Sequence, residues 1–257
     1  MRKILLIVNH IQKGENTMIT KEKMNPIQKT GRIAAILILV LVVIAPFGML
    51  YLPSTLIVPG NATTTANNVL ASEPLFRLGI AGDSVVFLIE IVLSVLLYVL
   101  LKPVSKTLAL VAAFSRLAMT IIQGINLLNH FFVLLLLSGT GYLSVFEPGQ
   151  LHALVLLFLN AHESAVLIWG LFFGLHLLVL GYLVYKSGYI PRISGVFLVI
   201  ASLCYFTQFF GNILFPQYKS IFTMIGILST LEIALPLGLL IKGVNVARWE
   251  KLSLETA

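Results

Sequence analysis

The chain has 257 residues, of which 58% are hydrophobic and only 11% charged, and its mean hydropathy is +1.00. Ordinary soluble domains carry about 25% charged residues, and no soluble interior of this size hides so much apolar surface. The net charge of +7 would fit a nucleic-acid partner in a soluble protein, but here the basic residues sit at the ends of apolar runs. That placement marks topogenic charge and excludes nucleic acid as the expected partner.

Residues 1–24 read as a basic extension, because the apolar patch Ile4 to Val8 is too brief for a signal-peptide core. Met18 and Met24 are alternative starts for translation. Uncharged runs then predict six membrane-spanning helices at about Ile33–Tyr51, Leu78–Leu101, Thr107–His130, Ser164–Tyr185, Ile193–Phe215 and Ser220–Ile241. Punctuation supports these limits: Lys102-Pro103 closes the second helix, Ser105 can cap the third, Gly188 and Pro191 separate the fourth and fifth, and Pro216 ends the fifth. The expected fold class is therefore all-α, an integral membrane bundle of six transmembrane helices with short interfacial helices on the outer side. Residues 25–245 would form the transmembrane domain and residues 246–257 a cytoplasmic tail.

Two outer segments fall between the spans. Leu52 to Phe76 is a polar loop whose run Asn61 to Asn68 can cap a short helix on the membrane surface, whereas Leu151 to Leu159 is apolar for too few residues to cross and reads as an interfacial or re-entrant element. Basic residues orient the bundle. Seven lie from Arg2 to Arg32, and Lys102, Lys106, Lys186, Arg192, Lys242, Arg248 and Lys251 fall on the same side, against Arg77 and Lys219 on the other. The positive-inside rule then predicts that both termini are cytoplasmic.

The blocks Phe173-Gly174-Leu175-His176-Leu177, Leu180-Gly181-Tyr182-Leu183 and Ser187-Gly188-Tyr189-Ile190-Pro191-Arg192, with Gly195, form a distinctive pattern. Further pieces are Thr65-Ala66-Asn67-Asn68, Glu73, Phe76-Arg77-Leu78-Gly79, and Tyr98 with Leu101-Lys102-Pro103-Val104. Together they resemble a bacterial membrane family known as domain of unknown function 4386, over about Asn25 to Lys242. The resemblance implies a multi-pass protein of the bacterial cytoplasmic membrane and carries over no activity.

Ionisable side chains near the bilayer centre cost about 2.5–3.5 kcal/mol on insertion scales, so each should be paired or functional. Glu90, Arg116, His176 and Glu232 all fall about 15–18 Å from the inner surface at 1.5 Å per residue, and so are expected to share one layer. Glu90 and Glu232 compete for the Arg116 guanidinium. A structural clamp is the plainer expectation, and the surplus negative charge offers a proton or cation site. Pro236 cannot donate to the Glu232 carbonyl, which adds an acceptor there.

A second group, nearer the outer surface, comprises Asp83, Gln123, Asn126, Asn129, His130, Gln208 and Asn212. It reads either as a polar track to the midplane or as interhelical hydrogen bonding. His130, His152, His162 and His176, with Asp83, Glu147 and Glu163, have the atom types of a zinc site but no diagnostic spacing, so no metal and no cofactor are expected. The lone Cys204 excludes an intrachain disulfide. The sequence thus predicts a non-enzymatic membrane bundle whose partners are lipids and a small solute, proton or cation, or else a sensor or accessory subunit. The rival reading is an intramembrane enzyme acting on a lipid or quinone.

Overall fold

A computed structural model describes residues 24–256, which places the basic extension, save its last residue, outside the described residues. Among the described residues there is no strand, and six helical segments are long and apolar enough to cross a membrane: Pro26–Leu56, Glu73–Leu101, Lys106–Leu136, Pro148–Ser187, Arg192–Leu214 and Pro216–Ile241. They are called spans 1 to 6. Each packs on the next in chain order and span 6 returns to span 1, so the bundle is a closed ring.

Most spans run past the expected limits because charge ends an apolar run without ending a helix. Span 1 begins at Pro26, where the Asn25 side chain accepts from the Ile27 N–H at 3.0 Å, and Lys29 and Arg32 ride on its first turns. Ser105 caps span 3, accepting from the Leu108 N–H at 3.4 Å. Asn61 caps a short helix, Ala62–Ala71, by accepting from the Thr64 N–H at 3.0 Å.

One expectation is overturned. Leu151 to Leu159 is neither interfacial nor re-entrant but belongs to the continuous 40-residue helix of span 4. The polar residues Asn160, His162 and Glu163 interrupt the apolar run, yet none breaks a helix, and the start is set upstream by Pro148 and a Glu147/Gln150 capping box. At 1.5 Å per residue this helix is about 60 Å long, twice a hydrocarbon core of about 30 Å. Its projecting half packs on Ala62–Ala71 and on Leu128–Leu136 of span 3, beside a second apolar core that includes Leu56, Val69, Phe76, Val133 and Val155.

The two described ends meet on one face of the bundle: Asn25 donates to Glu250 at 3.2 Å, and the Val244 N–H donates to the Gln28 side chain at 3.2 Å. The residues expected as a tail form a helix, Val246–Glu255, docked on that face. The Leu100 carbonyl, in the last turn of span 2 and without a helical donor, accepts from the Tyr189 hydroxyl at 2.8 Å and from the Trp249 indole at 3.0 Å. Burial pushes the Tyr189 phenol up, which keeps it a donor. Gly188 takes the left-handed conformation, φ +64°, with the Arg248 guanidinium against its Cα. The Gly188-Tyr189-Ile190-Pro191-Arg192 block is thus a structural clasp between spans 2, 4 and 5 and the last helix.

Two spans are irregular within the bundle. Span 1 widens into a π-helical turn at Phe47–Tyr51, where Gly48 lets the Asp83 carboxylate lie against its Cα. Span 6, expected as one helix with a proline kink, consists of helix Lys219–Gly226, a 3₁₀ stretch Ile227–Ile233 and helix Ala234–Ile241. Seven residues of 3₁₀ is long for that geometry and marks strain or a hinge. Pro236 cannot serve the Glu232 carbonyl, and Ser194 of span 5 donates to the Ala234 carbonyl at 2.8 Å, holding the break. Gln208 packs directly on Gly226, where the winding changes.

Candidate functional site

Glu90, Arg116 and His176 meet at the centre of the ring, brought from spans 2, 3 and 4. Arg116 Nε lies 2.5 Å from Glu90 Oε2. The contact is a buried charge pair. Arg116 Nη1 lies 2.9 Å from His176 Nε2, and His176 Nδ1 lies 2.8 Å from the Ala112 carbonyl oxygen. A guanidinium only donates, so Nε2 must accept; the proton then sits on Nδ1 and is donated to Ala112. His176 is therefore a neutral imidazole held in one tautomer, and all three side chains are buried.

Aromatic rings wall this cluster. The Phe173 ring lies 5.8 Å from Arg116 Cζ and stacks on His176, with Trp169 stacked at 5.0 Å and Tyr205 edge-on at 5.1 Å. Trp169, Phe173 and Tyr205 were not among the sequence candidates. Their signal was spacing: Trp169 and Phe173 precede His176 by seven and three residues and so share its helix face.

Glu232, on the 3₁₀ stretch of span 6, makes no ion pair among the described residues, and its Oε2 is buried with no hydrogen-bond partner. The one guanidinium in the layer is engaged by Glu90 and His176. Around this point stand one cation, two carboxylates and a neutral histidine.

The outer candidates occupy three separate places. Asn126 donates to Gln123 Oε1 at 3.0 Å and to the His162 carbonyl at 3.1 Å, and Asn129 donates to Asn126 Oδ1 at 2.8 Å. Beside them the His130 ring stacks on His162, centroids 3.9 Å apart, and meets Phe76 edge-on at 5.0 Å. Asp83 lies against Gly48, and Asn212 donates to the Gln208 carbonyl at 2.7 Å on span 5. Among the described residues no hydrogen bond joins these three places, and no three His, Cys, Asp or Glu side chains converge as metal ligands.

A regular spacing underlies the arrangement. Phe76, Asp83 and Glu90 on span 2, Arg116, Gln123 and His130 on span 3, and His162, Trp169 and His176 on span 4 each recur every seven residues. Seven residues are nearly two turns, so each set forms a stripe on one face, stepping about 10.5 Å per heptad. Spans 2 and 4 run antiparallel to span 3, which brings Glu90, Arg116 and His176 to one level and Phe76, His130 and His162 to another two heptads away. Asp83, Gln123 and Trp169 fall at the step between.

A six-span ring with a buried arginine, carboxylate and histidine layer defines a multi-pass membrane protein. The chain belongs to the family described as "Domain of unknown function (DUF4386)", whose profile matches residues 33–243. It is similar to an uncharacterized protein of Archaeoglobus fulgidus, 30% identical over 128 residues; the match takes in 49% of this chain and 62% of that relative. No solved structure matches the chain with significance.

Proposed function

We propose that this protein binds and exchanges a proton at its intramembrane carboxylates, with Glu232 as the exchanging group and the Glu90–Arg116–His176 cluster as its fixed partner. The observation that carries this reading is the buried, unpartnered Glu232 Oε2 on an interrupted span. A carboxylate at that depth without a cation is neutralised by taking up a proton or a small ion. A proton is favoured, because a hard metal cation takes six or more oxygens and among the described residues no three His, Cys, Asp or Glu side chains converge. Interrupted helices at membrane depth are tolerated where they line a site. The heptad seam toward His130 and His162 supplies polar groups at each step of about 10.5 Å along a path away from the face where the described ends meet.

The test is the Glu232→Gln variant in purified protein. Wild type is expected to show the infrared carbonyl band of a protonated carboxylic acid at neutral pH, and liposomes containing it to pass protons under an imposed potential. Glu232→Gln should lose that band and reduce proton flux at least tenfold while remaining monodisperse. A variant whose band and flux match wild type would overturn the assignment, and a sodium-dependent flux without a band would replace the proton by a cation.

We further propose that the bundle, residues 25–245, sits in a cytoplasmic membrane with both termini in the cytoplasm, a reading supported by the charge asymmetry. In a Cys204→Ala background, single cysteines at Thr63 and Glu147 should react with an impermeant thiol reagent from outside intact cells. Cysteines at Lys106, Lys186 and Glu250 should react only after lysis. Labelling of Lys106 and Lys186 positions from opposite sides would sink the topology.

A further inference from the structure

Spans 4 and 5 touch backbone to backbone where Gly181 meets Gly195, and the missing side chains leave a groove on the outside of the ring of about 650 Å³. Its walls are apolar, including Leu108, Leu178, Val179 and Val196, with Tyr182 and Tyr185. Both tyrosines are tied to cations: Lys186 Nζ lies 5.9 Å from the Tyr182 ring and Arg192 Cζ lies 5.8 Å from that of Tyr185. The groove therefore runs from an apolar slot, level with Leu178 and Ile200, to a cationic mouth on the face where the described ends meet.

The adjoining connections, residues 102–106 and 186–192, hold Lys102, Lys106, Lys186 and Arg192 and no carboxylate. Among the described residues none of these cations is in an ion pair. We infer that this groove is a binding site for an anionic phospholipid of the adjoining leaflet, one acyl chain lying between Tyr182 and Val196 and the phosphate held by Lys186 and Arg192. The charge decides the occupant. An acyl chain fits any such slot in a bilayer, but two cations held over tyrosine rings beside it, in no ion pair among the described residues, select a negative headgroup. The same groove presented to a helix of a second copy would set like charges against each other at the mouth. This inference does not depend on the role of Glu232.

The test is native mass spectrometry of the purified full chain titrated with phosphatidylglycerol and with phosphatidylcholine of the same acyl chains. At about 1 kcal/mol per surface cation, the expected preference for the anionic lipid is about fivefold per cation and about 25-fold for two. Lys186→Gln with Arg192→Gln should bring the two lipids to near parity. Val196→Trp, which leaves both charges in place and fills the slot, should reduce binding of both lipids at least fivefold. Equal affinity in wild type, an unchanged preference in the double variant, or full lipid binding by Val196→Trp would overturn the proposal. So would a wild-type dimer that Val196→Trp converts to monomer with lipid binding intact, since the groove would then hold a second copy.

Discussion

Arg116→Leu is expected to lower the thermal stability of the purified protein by about 3–5 kcal/mol, the cost of breaking a buried pair and leaving one charge behind. The guanidinium serves two partners at once, Glu90 Oε2 at 2.5 Å and His176 Nε2 at 2.9 Å. Leucine would strand a buried carboxylate on span 2 and an imidazole acceptor on span 4. Removing the stranded charge should undo part of the damage, so Glu90→Gln in the Arg116→Leu background should regain stability, whereas Glu90→Gln alone should lose it. His176→Phe keeps the ring against Phe173 but removes both the acceptor for Arg116 and the donor to Ala112; its cost should be smaller, about 1–3 kcal/mol. Unfolding followed by intrinsic fluorescence in detergent measures all four. An Arg116→Leu protein as stable as wild type would show that the cluster is not a clamp.

Gly195→Ala should be nearly as damaging, for a steric reason. A Cβ at this position would sit 2.6 Å from the Gly181 carbonyl oxygen and 2.7 Å from the Tyr185 amide nitrogen, both backbone atoms that cannot swing aside. Spans 4 and 5 would have to separate, and the clasp at Gly188 and Tyr189 joins them only a few residues away. Overpacking costs about 1–3 kcal/mol where side chains can shift, so rigid backbone neighbours place the effect at or above that range. Gly124→Ala is the matched control. Nothing lies within 4 Å of its added methyl, and replacing a helical glycine gains up to about 1 kcal/mol. Equal stability of the two alanine variants would refute the close crossing.

The ion pair and the glycine crossing differ in how far the amino-acid sequence announces them. Glu90, Arg116 and His176 were readable as one layer because distance from a charged helix end converts directly to depth at 1.5 Å per residue. The shared face of Asp83 and Glu90 is also legible in their spacing of seven residues. What depth could not tell was which carboxylate would take the guanidinium. Glu90 lies on the span that forms a hairpin with the arginine's own, whereas Glu232 comes from across the ring on a segment whose winding changes. The outer residues show the limit of the same reasoning, since Asp83, the Asn126 network and the Asn212–Gln208 contact point to three different neighbours.

Helix boundaries divide in the same way. Hydropathy alone established six crossings, because lipid leaves an unpaired backbone no alternative to a helix and about 20 apolar residues are needed for each. It could not see that span 4 continues to Pro148, because hydropathy records solvent preference and a helix ends only where capping or a breaker ends it. It could not see the 3₁₀ stretch of span 6 either. Pro236 marks a disturbance, but Gln208 seated on Gly226 and Ser194 bonded to the Ala234 carbonyl decide its form, and both come from span 5. Composition alone determined that the chain carries six spans, since that follows from transfer from water to lipid, a property of each segment by itself. Tertiary structure alone decided that Arg116 is taken by Glu90 and His176 while Glu232 makes no ion pair among the described residues, because pairing depends on how spans distant in sequence rotate and cross.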